Sequence, residues 1–327
     1  MAVRERRDAR LRGKPHVSEA WCVVAAVDFS TSSRRALDLA TAVSLRAEVP
    51  LLLLHVWNPN QASGAGLLLP AVASWIAEQR ERLASELDRW AEQARSRGAS
   101  VSCRVAEGVT SRAIPELARS AGAGLVVLGR RGSANLAHVL LGSVSERVAH
   151  LSPCPVLVVP EGDAPARAPR RLLVGIDFSK PARDAYRQAL SLAEAVRASD
   201  GLLLLHVRPG PAALAHEVGA DLAHESAPEL SYRGGYPYDR DALQRWARLP
   251  SPPGVPVASG VVEGTPSRAL LGEAQARDCD WVVVGLQGHT SLAALLMGST
   301  ADRVLKLADR PVLVVPASAP APGEFSG

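Results

Sequence analysis

The chain has 327 residues, 37 Lys and Arg against 33 Asp and Glu, and so a formal net charge of +4. Residues 1–16 carry six basic side chains (Arg4, Arg6, Arg7, Arg10, Arg12, Lys14) and two acidic ones (Glu5, Asp8), which is the whole surplus. A neutral body behind a basic arm lacks the field of a dedicated DNA or RNA binder, and at about 150 residues per domain the length predicts two domains, each with its own core.

In chain order, the basic arm at 1–16 is expected to be disordered, at most a weak docking tether. Then short apolar runs alternate with amphipathic stretches. WCVVAAV (21–27), PLLLLHV (50–56), ASVSCRV (99–105), GLVVLG (124–129) and PVLVV (155–159) have strand length and near-continuous apolar character, as expected when both faces of a sheet are covered. Between them, 33–47, 73–96, 111–120 and 143–151 carry apolar residues at spacings of three and four, the signature of helices. The Pro/Ala-rich stretch that follows contains the linker, placed at 163–169 between a first domain at 17–162 and a second at 170–317, with a tail at 318–327.

The second domain repeats the first. Residues 125–160 align without a gap to 281–316, with 18 of 36 positions identical. VDFS (27–30) returns as IDFS (176–179), LLLLHV (51–56) returns at 202–207, and Glu107-Gly108 returns as Glu263-Gly264. The second copy also carries a longer Pro/Gly/Tyr-bearing insertion near PELSYRGGYPYDR. Five strands alternating with four helices, written twice, predict an α/β protein of two tandem, doubly wound, five-stranded parallel-sheet domains. PVLVV closes each copy as an apolar edge-strand candidate, which the domains must cover by pairing within one chain or between two.

Ligands in such sheets bind beyond the carboxyl ends of the strands, so the loops after the first and fourth strands are the candidate sites. After strand four comes Gly129-x-x-Gly132, nine residues, then Gly142-Ser143; the second copy has Gly285-x-x-Gly288, nine residues, then Gly298-Ser299. Glycines allow close backbone approach and a helix N-terminus offers N–H groups to phosphate oxygens. The same residues also suit plain helix entry, since Ser143 to Glu146 spells the capping box S-x-x-E and Ser299 to Asp302 a looser form. Recurrence at one spacing in both copies favours a site. His55 and His206 at the ends of the second strands read as structural groups, and Asp28 and Asp177, each two residues before a serine, fit turn chemistry as well as acid/base work. The four cysteines (Cys22, Cys103, Cys154, Cys279) form no C-x-x-C pair and read as small apolar residues in a reducing compartment. There is no P-loop, no G-x-G-x-x-G after strand one and no complete catalytic set. No apolar run approaches the roughly 20 residues of a membrane helix and the charged N-terminus lacks a signal peptide's apolar stretch, so a cytoplasmic protein is expected.

The G-x-x-G, nine residues, G-S pattern, with V-D-F-S on strand one, LLLLHV on strand two and PVLVV at the end, resembles the universal stress protein family, in two tandem copies. The resemblance implies a Rossmann-like fold with strand order 3-2-1-4-5, often paired through the last strand, that binds adenine nucleotide. It implies ATP, accompanied by Mg²⁺ held by phosphate oxygens and water because no carboxylate cage is visible. Carried over by position, Ala26, Val27, Asp28 and Val56 lie on the adenine and ribose side of the first copy. Gly129, Arg130, Arg131, Gly132, Gly142, Ser143, Val144 and Ser145 surround ribose and phosphates. The second copy offers Gly175, Ile176, Asp177, Val207, Gly285, Gln287, Gly288, Gly298, Ser299, Thr300 and Ala301, with His289 as a further phosphate contact. Two arginines and the Ser145 hydroxyl in the first copy, against Leu286, Gln287 and Ala301 in the second, predict that the first copy binds ATP more tightly. The reading is a nucleotide-dependent regulatory module with a homodimer and a protein partner open to it; a slow ATPase or a nucleotide-free interaction scaffold are the alternatives.

Overall fold

The computed structural model describes residues 21–58, 70–130, 142–162, 167–208, 237–288 and 297–316. The basic arm, Arg131, Gly132, His289, most of the insertion, residues 163–166 of the linker and the tail lie outside the described residues. The first copy runs β1 (Cys22–Ala26), α1 (Thr31–Ala47), β2 (Leu51–Trp57), α2 (Pro70–Ser96), β3 (Val101–Glu107), α3 (Thr110–Ser120), β4 (Ala123–Gly129), α4 (Ser143–Leu151) and β5 (Val156–Val159). The second runs β6 (Arg171–Gly175), α5 (Lys180–Ala195), β7 (Gly201–Arg208), α6 (Pro237–Ala247), β8 (Val257–Glu263), α7 (Pro266–Ala276), β9 (Trp281–Gly285), α8 (Ser299–Leu307) and β10 (Val312–Val315).

Among the described residues the strands form one ten-stranded sheet in the order β3-β2-β1-β4-β5-β10-β9-β6-β7-β8. Each half has the expected order 3-2-1-4-5. Pairing is parallel within a copy and antiparallel at the seam, where Leu157 on β5 faces Leu313 on β10. The two PVLVV runs therefore cover each other at the centre of the sheet, and their Val and Leu side chains are fully buried.

Alternate residues of each strand feed two cores, as the two-residue period dictates. On one face Val23, Ala25 and Val27 pack under α1 and α2, and Leu172 and Val174 under α5 and α6. On the other, Val24 and Ala26 pack under α3 and α4, and Val282 and Val284 under α7 and α8. β3 departs from the continuous burial expected of it: Ser102 and Arg104 are exposed while Val101, Cys103 and Val105 are half-buried. It is an outer strand whose Val101, Cys103 and Val105 face packs against the core, while the face bearing Ser102 and Arg104 is left to solvent.

The end of the linker is fastened to the second copy. Asp280, just before β9, accepts hydrogen bonds from Arg167 Nη2 (2.9 Å) and from the backbone N–H groups of Arg170 (2.7 Å) and Arg171 (3.1 Å). Among the described residues no helix is long and apolar enough to cross a membrane.

Candidate functional site

Because every strand of a copy runs the same way, the ends of β1, β2 and β4 meet at one edge. At the end of β1, Ala26 and Val27 are buried and Asp28 is half-exposed; Val56 at the end of β2 is 8% exposed. Asp28 Oδ1 accepts from the Ser30 N–H (3.1 Å), and Ser30 Oγ caps α1 by accepting from the Ser33 N–H (3.2 Å). The second copy repeats this: Asp177 Oδ1 accepts from Ser179 N–H (3.0 Å), and Ser179 Oγ accepts from Ala182 N–H (3.2 Å). Both aspartates thus shape the entry turn of a helix.

Between each aspartate and its capping serine sits a phenylalanine in the left-handed region, Phe29 at φ 62° and Phe178 at φ 64°. A bulky residue there is strained, and tilted and edge-to-face ring contacts hold it. Phe29 lies 4.5 Å from the His55 ring and 5.4 Å from Trp90; Phe178 lies 4.7 Å from His206 and 5.8 Å from Trp246. His55 Nδ1 donates to the Val27 carbonyl (2.8 Å) and His206 Nδ1 to that of Ile176 (2.7 Å). These trios escape a reading by motif. Their signal lies in the repeat, since Phe, His and Trp each recur at the offset of their neighbouring landmark.

Burial lowers the His55 imidazole below its ordinary 6.5, outweighing the Val27 carbonyl and the Asp28 charge that draw it up. A lowered folded pKa means that the unfolded chain takes the proton first. His55 is therefore expected to support stability fully above pH 6.5 and to lose that contribution as the pH falls from there towards the folded value. Denaturant midpoints measured from pH 8 to 5 should fall less steeply in His55→Gln; an unchanged slope would exclude this role.

The glycines that end β4 and β9 are close approaches. A Cβ on Gly129 would overlap Ser32 Oγ and sit 3.0 Å from the Ser32 carbonyl carbon, and one on Gly285 would sit 3.1 Å from the Pro181 carbonyl. The first glycine of each pattern thus lets strand four pass the first turn of the helix after strand one, a packing reason beside any ligand. Each loop is also closed at its base: Gly142 N–H donates to Arg130 O (3.0 Å) and Gly298 N–H to Leu286 O (2.8 Å). In the second copy the loop ends converge on the aspartate, since a Cβ on Gly288 would be 2.8 Å from Asp177 Oδ2 and one on Gly298 would be 3.4 Å from the Gly288 nitrogen.

The capping box is not formed. Gly142 and Gly298 occupy the N-cap positions in extended conformation, with no side-chain cap bond, and Ser143 and Ser299 are the first helical residues. α3 and α7 likewise start without a side-chain cap, whereas α1 and α5, which begin on the same edges, are capped by Ser30 and Ser179. Ser143, Val144 and Ser299 are exposed, and Thr300 is half-exposed.

Two first-copy residues turn elsewhere. The Ser145 hydroxyl is buried and donates to the carbonyls of Gly129 (3.0 Å) and Arg130 (3.1 Å), fixing α4 to the end of β4; Ala301, its counterpart, is simply buried. Arg130 sends its guanidinium across the seam, where Nη1 donates to Ala308 O (2.6 Å). The thiols stay protonated, because burial raises Cys22, pushes Cys103 and Cys279 up to about 11 and Cys154 to about 12. Among the described residues no group of three His, Cys, Asp or Glu could hold a metal ion.

The model of the universal stress protein family matches residues 23–160 and again 169–316. The chain belongs to this family. A universal stress protein of Mycobacterium tuberculosis is 30% identical over 299 residues, covering 89% of this chain and 96% of its own length. A universal stress protein of Bacillus subtilis is 32% identical over 143 residues, covering 42% of this chain and 97% of itself, the length of one copy. Among solved structures, a universal stress protein from Archaeoglobus fulgidus superposes with a TM-score of 0.64 at 22% identity, covering 90% of this chain and 98% of that one. The family's tandem arrangement thus extends over both copies, and the differences between them at Arg130/Leu286 and Ser145/Ala301 fall inside a shared frame.

Proposed function

We propose that this universal stress protein binds ATP at the strand-end edge of each copy and acts as a nucleotide-dependent regulatory module. The observation that carries the reading is the pair of glycine N-caps at Gly142 and Gly298. Both helices start beside the strand-four loop with first-turn N–H groups that no side chain caps, and N-termini of this kind suit phosphate oxygens. Ala26, Asp28 and Val56 supply a half-apolar floor for base and ribose in the first copy, as Ile176, Asp177 and Val207 do in the second. Mg²⁺ would arrive on the phosphates, coordinated by their oxygens and water.

The first copy is proposed as the tighter site. With Arg130 and the Ser145 proton engaged elsewhere, the advantage rests on Arg131, whose counterpart is Gln287. One charge-assisted bond corresponds to about ten- to a hundredfold in affinity. Titration calorimetry with ATP, together with analysis of nucleotide released on denaturation, tests the reading: two sites separated by about tenfold are expected. No released nucleotide and no binding heat would overturn it.

A further inference from the structure

We infer that the second ATP site depends on a positioning residue supplied by the first copy, Arg130, an inference that rests on the proposed ATP binding. The antiparallel seam places the strand ends of the two copies at opposite edges of the sheet. α8 starts at its own copy's site with Gly298-Ser299 and ends near the opposite edge, where β10 begins. At about 1.5 Å per residue its nine residues span roughly 13 Å.

Arg130 meets that far end. Its Nη1 donates at 2.6 Å to the carbonyl of Ala308, the C-cap residue just past the last turn, and lies 3.5 Å from the Lys306 carbonyl, one of those that the end of a helix leaves without an intrahelical partner. A fixed cation there also complements the negative end of the helix dipole. The Arg130 backbone is itself anchored in the first site's loop, since its carbonyl accepts from Gly142 N–H and Ser145 Oγ and its N–H donates to Val159 O (2.8 Å). One residue thus ties the start of α4, at the first site, to the end of α8, whose other end forms the second. The arrangement is one-sided: the counterpart of Arg130 is Leu286, a buried side chain with no donor. Holding α8 from its C-terminal end fixes where its N-terminal N–H groups stand, and this is what phosphate binding at the second site requires.

The test titrates ATP into the full chain carrying Gly142→Asp, which leaves the second site to be read alone, and compares it with the same chain carrying Arg130→Leu or Arg130→Lys in addition. Leucine is the residue the second copy itself has there; lysine keeps a cation and a single-point donor. Affinity at the second site is expected to fall about five- to tenfold with leucine and to be largely restored with lysine. Amide hydrogen exchange over residues 299–307 of the nucleotide-free Arg130→Leu chain should be faster than in the unsubstituted chain. A lowered melting temperature with second-site affinity unchanged would make Arg130 mere seam adhesive and overturn the inference, as would unchanged exchange in α8. ATP bound by neither copy of the unsubstituted chain overturns the functional reading and this inference with it, whereas equal second-site affinity in all three chains overturns this inference alone.

Discussion

Gly142→Asp is expected to weaken ATP binding at the first site by at least about a hundredfold while leaving the protein as stable as before, or slightly more so. Gly142 is the N-cap of α4 at φ −69° and ψ 135°, a conformation that aspartate adopts without strain. Aspartate is among the preferred N-cap residues because its carboxylate accepts from N–H groups of the first turn. The substitution therefore supplies the missing cap and adds on the order of a few tenths of a kcal/mol of stability, glycine being itself a fair N-cap residue. The same carboxylate then occupies the position proposed for a phosphate and repels what remains: two like charges about 4 Å apart near a surface cost about 4 kcal/mol, more than the roughly 2.7 kcal/mol that a hundredfold represents. Gly298→Asp should do the same to the second site, where its Cβ would meet the Gly288 nitrogen at 3.4 Å, an ordinary contact. Calorimetric titration alongside thermal unfolding reads both quantities. A loss of affinity accompanied by an equal loss of stability would point to a folding role for these glycines; unchanged affinity would remove the helix starts from the site.

The second large effect is expected at the seam. Leu157 and Leu313 face each other on β5 and β10 and neither is exposed. Leu157→Ala removes apolar contacts and leaves a cavity, at a cost of about 2–5 kcal/mol. Leu157→Asp also buries a carboxylate with no partner at hand and should cost more than about 4 kcal/mol, enough to separate the copies. A chain that unfolds as one unit would then show two transitions in denaturant, and small-angle scattering would record a larger radius before the first. Survival of a single transition at its original midpoint in Leu157→Asp would mean that the seam contributes little to holding the copies together.

Much of the fold is legible because its signals are local. Near-continuous runs such as LLLLHV, set between stretches of helical spacing, imply parallel strands covered on both faces, and the observed helices begin within three residues of the expected positions. β3 is less legible: a strand covered on one face alternates, and nothing local in ASVSCRV says that helices cover only one face of this outer strand. Side-chain direction was beyond local signals. Arg130 and Ser145 lie in the expected loop and helix start, but a guanidinium and a hydroxyl bond whatever acceptors the fold brings near, here the end of α8 and the end of β4. The capping box failed for a related reason. S-x-x-E marks a helix start, yet Gly142, closed onto the Arg130 carbonyl, takes the cap position and moves Ser143 into the helix.

The sequence by itself determined two copies of one α/β unit, each with its glycine pattern at the end of the fourth strand. Spacing, periodicity and repetition are properties of the chain and need no partner to be read. The tertiary structure alone decided how the copies face each other. The apolar run PVLVV could have paired within a chain or between chains. Its antiparallel pairing across Leu157 and Leu313 turns the two strand-end edges to opposite sides of one sheet and brings Arg130 of the first copy to the end of α8 in the second. Two loops that look independent in sequence are thereby linked, because a hydrogen bond between positions 178 residues apart exists only once the seam has formed.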